Sequence, residues 1–106
     1  MNDIRVVLMT APTAQAAGGI VDMLVGEHLI ACGNITTSIS SIYRWQGNIE
    51  RADEVLVIMK TTAALLDALT KRIGELHPYE VPEVLALDVV GGNAAYSAWV
   101  RESVRS

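Results

Sequence analysis

The sequence has very little cysteine, histidine and proline, and it has no phenylalanine. Its 106 residues include one cysteine, two histidines and three prolines. A single cysteine excludes an internal disulfide framework and a zinc site built from several thiolates of one chain. Lysine and arginine form no cluster and the net charge is −4, which argues against a nucleic-acid surface. No stretch is long and apolar enough to span a bilayer, so we expect no membrane partner.

The sequence also lacks the features that would indicate several domains, export from the cytoplasm or an enzyme active site. There is no linker, repeat or low-complexity segment, so a single domain over residues 1–106 is predicted. Asp3 and Arg5 interrupt the start too early for a signal peptide, which predicts a cytoplasmic protein. Nucleophile motifs and phosphate-binding loops are absent, and no acid–base–nucleophile set can be assembled, so we expect no enzyme activity.

Apolar residues are what the chain has in excess. It is 51% hydrophobic and only 19% charged. A domain of this size leaves much of its surface exposed, and large apolar patches are rare on monomers. We therefore predict that part of the apolar surface lies in a permanent subunit interface; the alternative is a purely aliphatic core.

The apolar patterning predicts an α+β fold. The predicted elements are a strand at 4–11, a helix from Thr13 to about 27, a strand entered at 29–33 and reaching 45, a return strand at 49–61, a helix at 62–76, a strand at 83–90 and a helix capped by Asn93. This order is the ferredoxin-like βαββαβ plait, an antiparallel sheet with two helices on one face, with an additional C-terminal helix. The plait serves many unrelated functions and does not decide this one.

The second and third strands form a long hairpin around a turn at residues 46–48. A hairpin of this length would protrude from a compact domain, and we expect another chain to cover its Tyr43 and Trp45. Ile35 and Ile39 are expected on the same strand face as these aromatic residues.

An irregularity is also predicted within the second strand. Ile42 breaks the alternation of apolar residues that precedes it. A break of this kind is typical of a strand that gains one extra residue. We therefore predict a bulge or bend near residues 40–41.

The run from His77 to Glu83 concentrates the functional groups of the chain. Pro78 and Pro82 bar the preceding residues from helical geometry, so the run is an extended, stiff linker. It offers one imidazole, one phenol and two carboxylates. Neutral imidazole and soft sulfur suit copper or zinc, but no two candidate donors have ligand spacing on one element. The alternative is that His77 is a polar residue near a helix C-terminus, where a cation is favourable.

Five aromatic side chains and one thiol complete the candidate residues. The aromatic residues are Tyr43, Trp45, Tyr79, Tyr96 and Trp99. Such a set could stack against a ring-shaped ligand, but tyrosine and tryptophan more often fill interfaces, and we favour an interface. Cys32 is expected to be a small buried hydrophobic residue, a buried thiol, rather than a reactive one.

Six short motifs occur in order along the chain. They are Met9-Thr10-Ala11-Pro12, Ala31-Cys32-Gly33-Asn34-Ile35, Ser41-Ile42-Tyr43-Arg44-Trp45-Gln46-Gly47-Asn48-Ile49-Glu50, Lys60-Thr61, Glu75-Leu76-His77-Pro78-Tyr79-Glu80-Val81-Pro82-Glu83-Val84 and Tyr96-Ser97-Ala98-Trp99. Each motif alone is weak, but their joint order is specific. On these motifs the chain resembles the CutA divalent-cation-tolerance family over nearly its whole length.

The resemblance implies a small, stable cytoplasmic homotrimer whose sheets pack around a three-fold axis. It also implies a non-enzymatic role in the response to divalent cations, copper in particular. Trimers of the family resemble the PII signalling proteins, whose ligands bind in clefts between subunits. The alternative function is therefore a PII-like module that binds a small molecule or a partner protein in such a cleft.

The site residues implied by the resemblance fall into two sets. Some bacterial members have a cysteine in the first strand and a His-His pair before the Pro-Tyr, and copper is assigned to those groups. This chain has Met9 and Leu76-His77 there, so His77, with Glu80 and Met9 as weaker ligands, would hold Cu²⁺ or another divalent cation at low occupancy. The intersubunit cleft or interface would contain Tyr43, Trp45, Lys60, Tyr79, Glu83, Tyr96 and Trp99.

Overall fold

The structure, a computed structural model, describes residues 2–105, and this range forms five strands and three α-helices. In chain order they are β1 (Ile4–Ala11), α1 (Ala14–Gly26), β2 (Cys32–Ile35), β3 (Ile39–Trp45), β4 (Asn48–Thr62), α2 (Leu66–Leu76), β5 (Leu85–Asp88) and α3 (Ala94–Ser103). None of the helices in this range is long and apolar enough to cross a membrane. The order confirms the ferredoxin-like α+β fold with an additional C-terminal helix.

All strand pairs of the sheet are antiparallel. The strand order is β2-β4-β1-β5, and β3 pairs with the remaining part of β4. In the β1–β4 ladder Val7 lies opposite Met59 and Leu8 lies opposite Ile58. Because successive strand residues point to opposite sides, each ladder places one residue set on each face of the sheet.

One face of the sheet, the covered face, packs against α1 and α2. Its β1 and β4 residues, including Val7, Met9 and Met59, are fully buried. The helices contribute apolar side chains at helical spacing, among them Leu24 on α1 and Ile73 on α2. The predicted cap of α1 is confirmed, since the Thr13 hydroxyl accepts a hydrogen bond from the Ala16 N–H at 3.0 Å.

The opposite face is also apolar but is only partly covered within one chain. This open face consists of Val6, Leu8, Leu56, Ile58, Leu85 and Leu87. Leu85 and Leu87 are 57% and 47% exposed, while the β1 and β4 members are half-buried. At one end α3 covers the sheet, where Val100 packs with Ile4 and Ala31. The rest of the open face is a contiguous apolar surface that no helix of this chain covers.

The bulge lies earlier than predicted. Ile35 pairs with Val57 and Ile39 pairs with Glu54, so three residues, 36–38, oppose only two on β4. The extra residue is held in place by Thr36, whose hydroxyl accepts a hydrogen bond from the Leu56 N–H at 2.9 Å. The predicted bulge at residues 40–41 is wrong, because the β3–β4 ladder runs there without interruption.

The bulge also corrects a predicted strand face. Ile35 lies opposite Val57, on the covered face, whereas Ile39 lies opposite Glu54, on the side of Leu56. The two isoleucines therefore do not share a face, because one extra residue reverses the alternation between them.

The predicted long hairpin is present as β3 and the first half of β4. Its tip is a two-residue turn in which Gln46 and Gly47 have φ of 50° and 83°. Positive φ at both positions is the geometry of a tight hairpin turn, which glycine adopts readily. Residues 48–54 of β4 extend beyond β1, and the chain measures 44 × 26 × 24 Å.

Two predicted boundaries are wrong by a few residues. The second long helix does not begin at Thr62, because Thr62 still pairs with Ile4 in the β1–β4 ladder. A 3-10 turn at Ala63–Leu65 follows before α2 begins. The last strand is shorter than predicted, since only Leu85–Asp88 pairs with β1.

Candidate functional site

A groove of about 740 Å³ lies where the hairpin leaves the body of the sheet. Its floor continues the open face, and its rim is the segment that follows α2. The residues lining this groove are Thr10, Pro12, Ser41, Ile42, Tyr43, Trp45, Ala52, Asp53, Glu54, Tyr79, Glu80, Val81 and Glu83. Of the residues predicted for a cleft, Tyr43, Trp45, Tyr79 and Glu83 therefore lie together in one chain.

His77 fixes the segment that forms the rim. It is extended at the end of α2, with φ −80° and ψ 139°, as expected for a residue before Pro78. Its Nδ1 accepts a hydrogen bond from the Tyr79 N–H at 3.0 Å, so Nε2 carries the hydrogen and donates it to the Thr10 carbonyl oxygen at 2.8 Å. His77 is only 8% exposed. It therefore acts as a neutral clamp between β1 and the rim.

Tyr79, placed by this clamp, reaches across to β4. Its ring centroid lies 4.7 Å from that of His77, and its hydroxyl donates a hydrogen bond to Glu54 Oε2 at 2.6 Å. Burial, reinforced by the adjacent Glu54 carboxylate, raises the pKa of Tyr79 above its usual 10.0. The phenol therefore remains protonated and continues to donate its hydrogen bond.

The groove is acidic. Four lining residues are carboxylic acids, namely Asp53, Glu54, Glu80 and Glu83, and no lysine, arginine or histidine is among the lining residues. Glu54 is 8% exposed, whereas Glu80 is exposed and Glu83 is half-buried. A concave surface lined by one sign of charge raises the local concentration of ions of the opposite sign. The groove is therefore suited to cations.

The structure does not assemble the predicted metal ligands into one centre. Met9 is fully buried on the covered face, and Glu80 lies in the groove. Both ring nitrogens of His77 already have partners. Across residues 2–105 no group of three or more histidine, cysteine, aspartate and glutamate side chains could hold a metal ion. Metal binding by His77, Glu80 and Met9 stays a prediction, and it requires His77 to give up a hydrogen bond.

The other predicted cleft residues lie at the opposite end of the sheet. Lys60 donates a hydrogen bond to Asn34 Oδ1, and the rings of Tyr96 and Trp99 contact each other in a tilted arrangement with centroids 5.5 Å apart. Lys60 is six positions further along β4 than Glu54, a distance of roughly 20 Å. Lys60 is therefore no part of the groove within one chain, and its meeting with groove residues across subunits stays a prediction.

Cys32 also lies at this end, and within one chain it is not buried as predicted. It is half-buried, since it lies on the same side of the sheet as its ladder partner Lys60, where α3 gives only partial cover. Its Sγ is 3.7 Å from the Tyr96 hydroxyl. Burial, together with this thiol contact, raises the pKa of Tyr96.

Sequence reasoning did not select two residues that are central to the groove. Thr10 supplies the carbonyl that holds His77, and Glu54 accepts the Tyr79 hydrogen bond. Glu54 carries a weak signal in the sequence, since it is a charged residue at the edge of the buried part of a strand. Thr10 carries no signal, because it acts through its backbone.

The fold and the groove define a class of protein: a ferredoxin-like plait with an overlong hairpin, an added helix, an apolar open face and an acidic groove. A sequence model described as CutA1 divalent ion tolerance protein matches residues 5–103. The chain belongs to the CutA1 divalent ion tolerance protein family.

Individual relatives agree with this assignment. The chain is 45% identical over 99 residues to "Divalent-cation tolerance protein CutA" of Thermus thermophilus, covering 93% of this chain and 96% of that protein. It is 42% identical over 100 residues to "Protein CutA 1, chloroplastic" of rice, covering 94% of this chain but only 56% of the rice protein. A solved structure of the Thermus thermophilus protein superposes with a TM-score of 0.94 at 43% identity, covering 96% and 99% of the two chains.

Proposed function

We propose that the chain is a non-enzymatic divalent-cation tolerance protein that binds Cu²⁺ or another divalent cation weakly. The observation that carries this proposal is the acidic groove, in which four carboxylates face no basic residue among those that line it. Membership of the divalent ion tolerance family supports it, as does the name of the Thermus thermophilus relative.

Weak binding follows from the geometry of the donors. Tight sites for transition metals need several converging ligands, and residues 2–105 contain no such group. His77 has to release either the Tyr79 N–H or the Thr10 carbonyl before it can bind a metal ion. We expect the loss of that hydrogen bond to reduce the affinity, so that the site fills only when the cation is abundant.

The proposal includes a cytoplasmic homotrimer. The open face supports an assembly, because contiguous apolar surface of this kind is typical of interfaces rather than of monomers. The second candidate function is a PII-like module, and the size of the groove favours it. A volume of about 740 Å³ suits a small organic molecule better than a bare ion.

The metal proposal is tested by native mass spectrometry of the full chain during a Cu²⁺ titration. His77→Gln is the informative variant, because an amide can still donate a hydrogen bond to the Thr10 carbonyl but offers no imidazole. His28→Gln is the matched control, since His28 is the only other histidine and is exposed.

We expect Cu²⁺ uptake to fall by roughly tenfold in His77→Gln, as for loss of one ligand, and to be unchanged in His28→Gln. Equal uptake by the wild type and His77→Gln, or loss only in His28→Gln, would contradict a metal role for His77. Thermal unfolding of each variant confirms that the comparison is made between folded proteins.

A further inference from the structure

We propose that residues 103–105 form a latch, which His28 closes and whose release frees α3 from the sheet while the rest of the chain stays folded. The latch consists of the last residue of α3 and the two residues that follow it, and it reaches the end of α1. The structure shows the latch closed. This inference goes beyond the proposed metal role, because it uses neither the groove nor His77.

His28 occupies a position that usually belongs to glycine. Its φ is 60°, in the left-handed region. It lies just after α1, where the His28 N–H donates a hydrogen bond to the Val25 carbonyl oxygen and the Leu29 N–H donates one to the Leu24 carbonyl oxygen. This pair of hydrogen bonds is the Schellman motif, whose left-handed residue is most often glycine because a Cβ atom there is strained. A histidine at this position therefore indicates that its side chain makes an interaction that offsets the strain.

That interaction is with the latch. The His28 Nδ1 atom lies 3.2 Å from the Ser103 carbonyl oxygen. Because a carbonyl oxygen can only accept a hydrogen bond, Nδ1 carries the hydrogen and donates it. In the opposite direction, the Arg105 N–H donates a hydrogen bond to the His28 carbonyl oxygen at 2.9 Å. Two hydrogen bonds of opposite direction therefore join one strained residue at the end of α1 to two residues of the latch.

Val104, the middle residue of the latch, connects the two apolar clusters of the fold. It is half-buried, and it packs against the core beneath α1 and α2. It also packs against the smaller cluster of Ile4, Ala31 and Val100, which lies under α3 on the other side of the sheet. The latch therefore runs from the open face to the covered face and closes the junction between the two clusters.

The other contacts of α3 hold it weakly. Of its 10 residues only Val100 is buried. Its polar contacts include the exposed ion pair of Arg101 with Asp3 and a contact with Cys32, and an exposed ion pair stabilises little. A helix of this length is marginal in water without packing, and an element with few buried contacts opens at a lower free energy than the core. We therefore expect α3 to open as a unit when the latch is released, which uncovers Ile4 and Cys32.

The experiment is amide hydrogen exchange of the full-length protein, read by mass spectrometry on peptides from α3 and from α2. His28→Gly removes the imidazole and suits the left-handed backbone, so the end of α1 is not strained by the change. We expect exchange in α3 to become roughly threefold to tenfold faster, as for the loss of one hydrogen bond, with α2 unchanged. His28→Asn tolerates the left-handed region and keeps an N–H donor, and it should accelerate α3 less. Unchanged exchange in α3 of His28→Gly, or equal acceleration in α2, would overturn the proposal.

A matched pair of variants at Arg105 tests the second hydrogen bond. Arg105→Pro deletes the N–H that donates to His28, and the preceding Val104 already has the extended backbone that a proline requires, with φ −107° and ψ 159°. Arg105→Gln removes the same charge but keeps the N–H. We expect faster exchange of α3 in Arg105→Pro and wild-type exchange in Arg105→Gln. Equal exchange of α3 in the two variants would contradict the latch. The measurement is made without added metal, so its outcome does not depend on the Cu²⁺ titration.

Discussion

Both faces of the sheet carry apolar residues, but only one face is closed by the chain itself. On the covered face Val7, Met9 and Met59 are fully buried beneath two helices. On the open face the neighbouring residues Leu8 and Ile58 are half-buried, and the edge strand is largely exposed. The difference shows that the apolar residues fall into two groups: those that form the core of this chain, and those on a surface that one chain leaves uncovered.

The two faces also differ in the functional groups that a ligand could reach. The groove continues the open face, and the acceptor Glu54 lies on the same side of β4 as Ile58. The covered face offers Met9, a side chain packed on all sides. Close packing allows no ligand to reach a core residue without opening the fold. The candidate functional site therefore lies on the face that α1 and α2 do not cover.

The largest expected effect comes from a core residue of the covered face. Met59→Ala should lower the free energy of unfolding by about 2–5 kcal/mol, because it leaves a cavity among fully buried neighbours. Met23→Ala, at an exposed position on α1, should change it by less than about 1 kcal/mol. Urea unfolding measures both.

Ile58 is the neighbour of Met59 on β4, and its side chain lies on the open face. The effect of Ile58→Ala should depend on protein concentration, whereas the effect of Met59→Ala should not, because only the open face would be completed by another chain in the proposed trimer. A concentration-independent loss of equal size in both variants would mean that the two faces are closed alike within one chain.

An intermediate effect is expected on assembly. Leu87→Glu places a charge on the open face, and it should convert the proposed trimer to single chains with the fold retained. Val25→Glu introduces the same charge at a comparably exposed position on α1 and should leave the assembly intact. Sedimentation velocity and circular dichroism give the two readouts. If both substitutions dissociated the assembly, or if neither did, the open face would not be the surface through which the chains associate.

The smallest effect lies in the helix layer over the covered face. Arg72 donates hydrogen bonds to both oxygens of Glu27, with Nη2–Oε2 at 2.7 Å and Nε–Oε1 at 2.8 Å, and these lower the pKa of Glu27 below its usual 4.5. A lowered pKa in the folded state contributes stability above pH 4.5, which is lost as the pH falls through the lowered value.

Glu27→Gln should therefore be slightly less stable than the wild type at pH 7, and the difference should vanish on acidification. Glu75→Gln is the control, because Glu75 makes a single contact to Arg72, at 3.2 Å, with half of its side chain exposed. Thermal unfolding from pH 7 to pH 3 measures the difference. A difference that grows as the pH falls would contradict the sign of this pKa shift.

Most of the fold could be predicted from local patterning. As expected, β1 ends before Pro12 and α1 begins after its Thr13 cap. Asn93 caps α3 by accepting hydrogen bonds from two backbone N–H groups. These features depend on residues close together in sequence. The bulge could not be placed, because its position depends on how residues 36–38 meet β4, a partner about 20 residues away.

The candidate site was only partly predictable for the same reason. Tyr79 and Glu83 are brought to the groove by a proline-stiffened segment that the sequence shows directly. Lys60 lies on the same strand as Glu54, within the buried half of β4, but the strand carries it to the far end of the sheet. Which charges meet depends on strand register, and sequence proximity does not give it.

The extra residue at 36–38 separates two strands that would otherwise share one alternation. β2 can place Ile35 toward the helices while β3 places Tyr43 and Trp45 toward the groove, although all three have odd numbers. A gain or loss of one residue at the bulge can be absorbed without disturbing either partner ladder. The same change inside β3 would turn Ser40 and Arg44 toward the groove instead. A change in the length of residues 36–38 therefore leaves the groove-facing side chains in place, whereas a change of length within β3 replaces them.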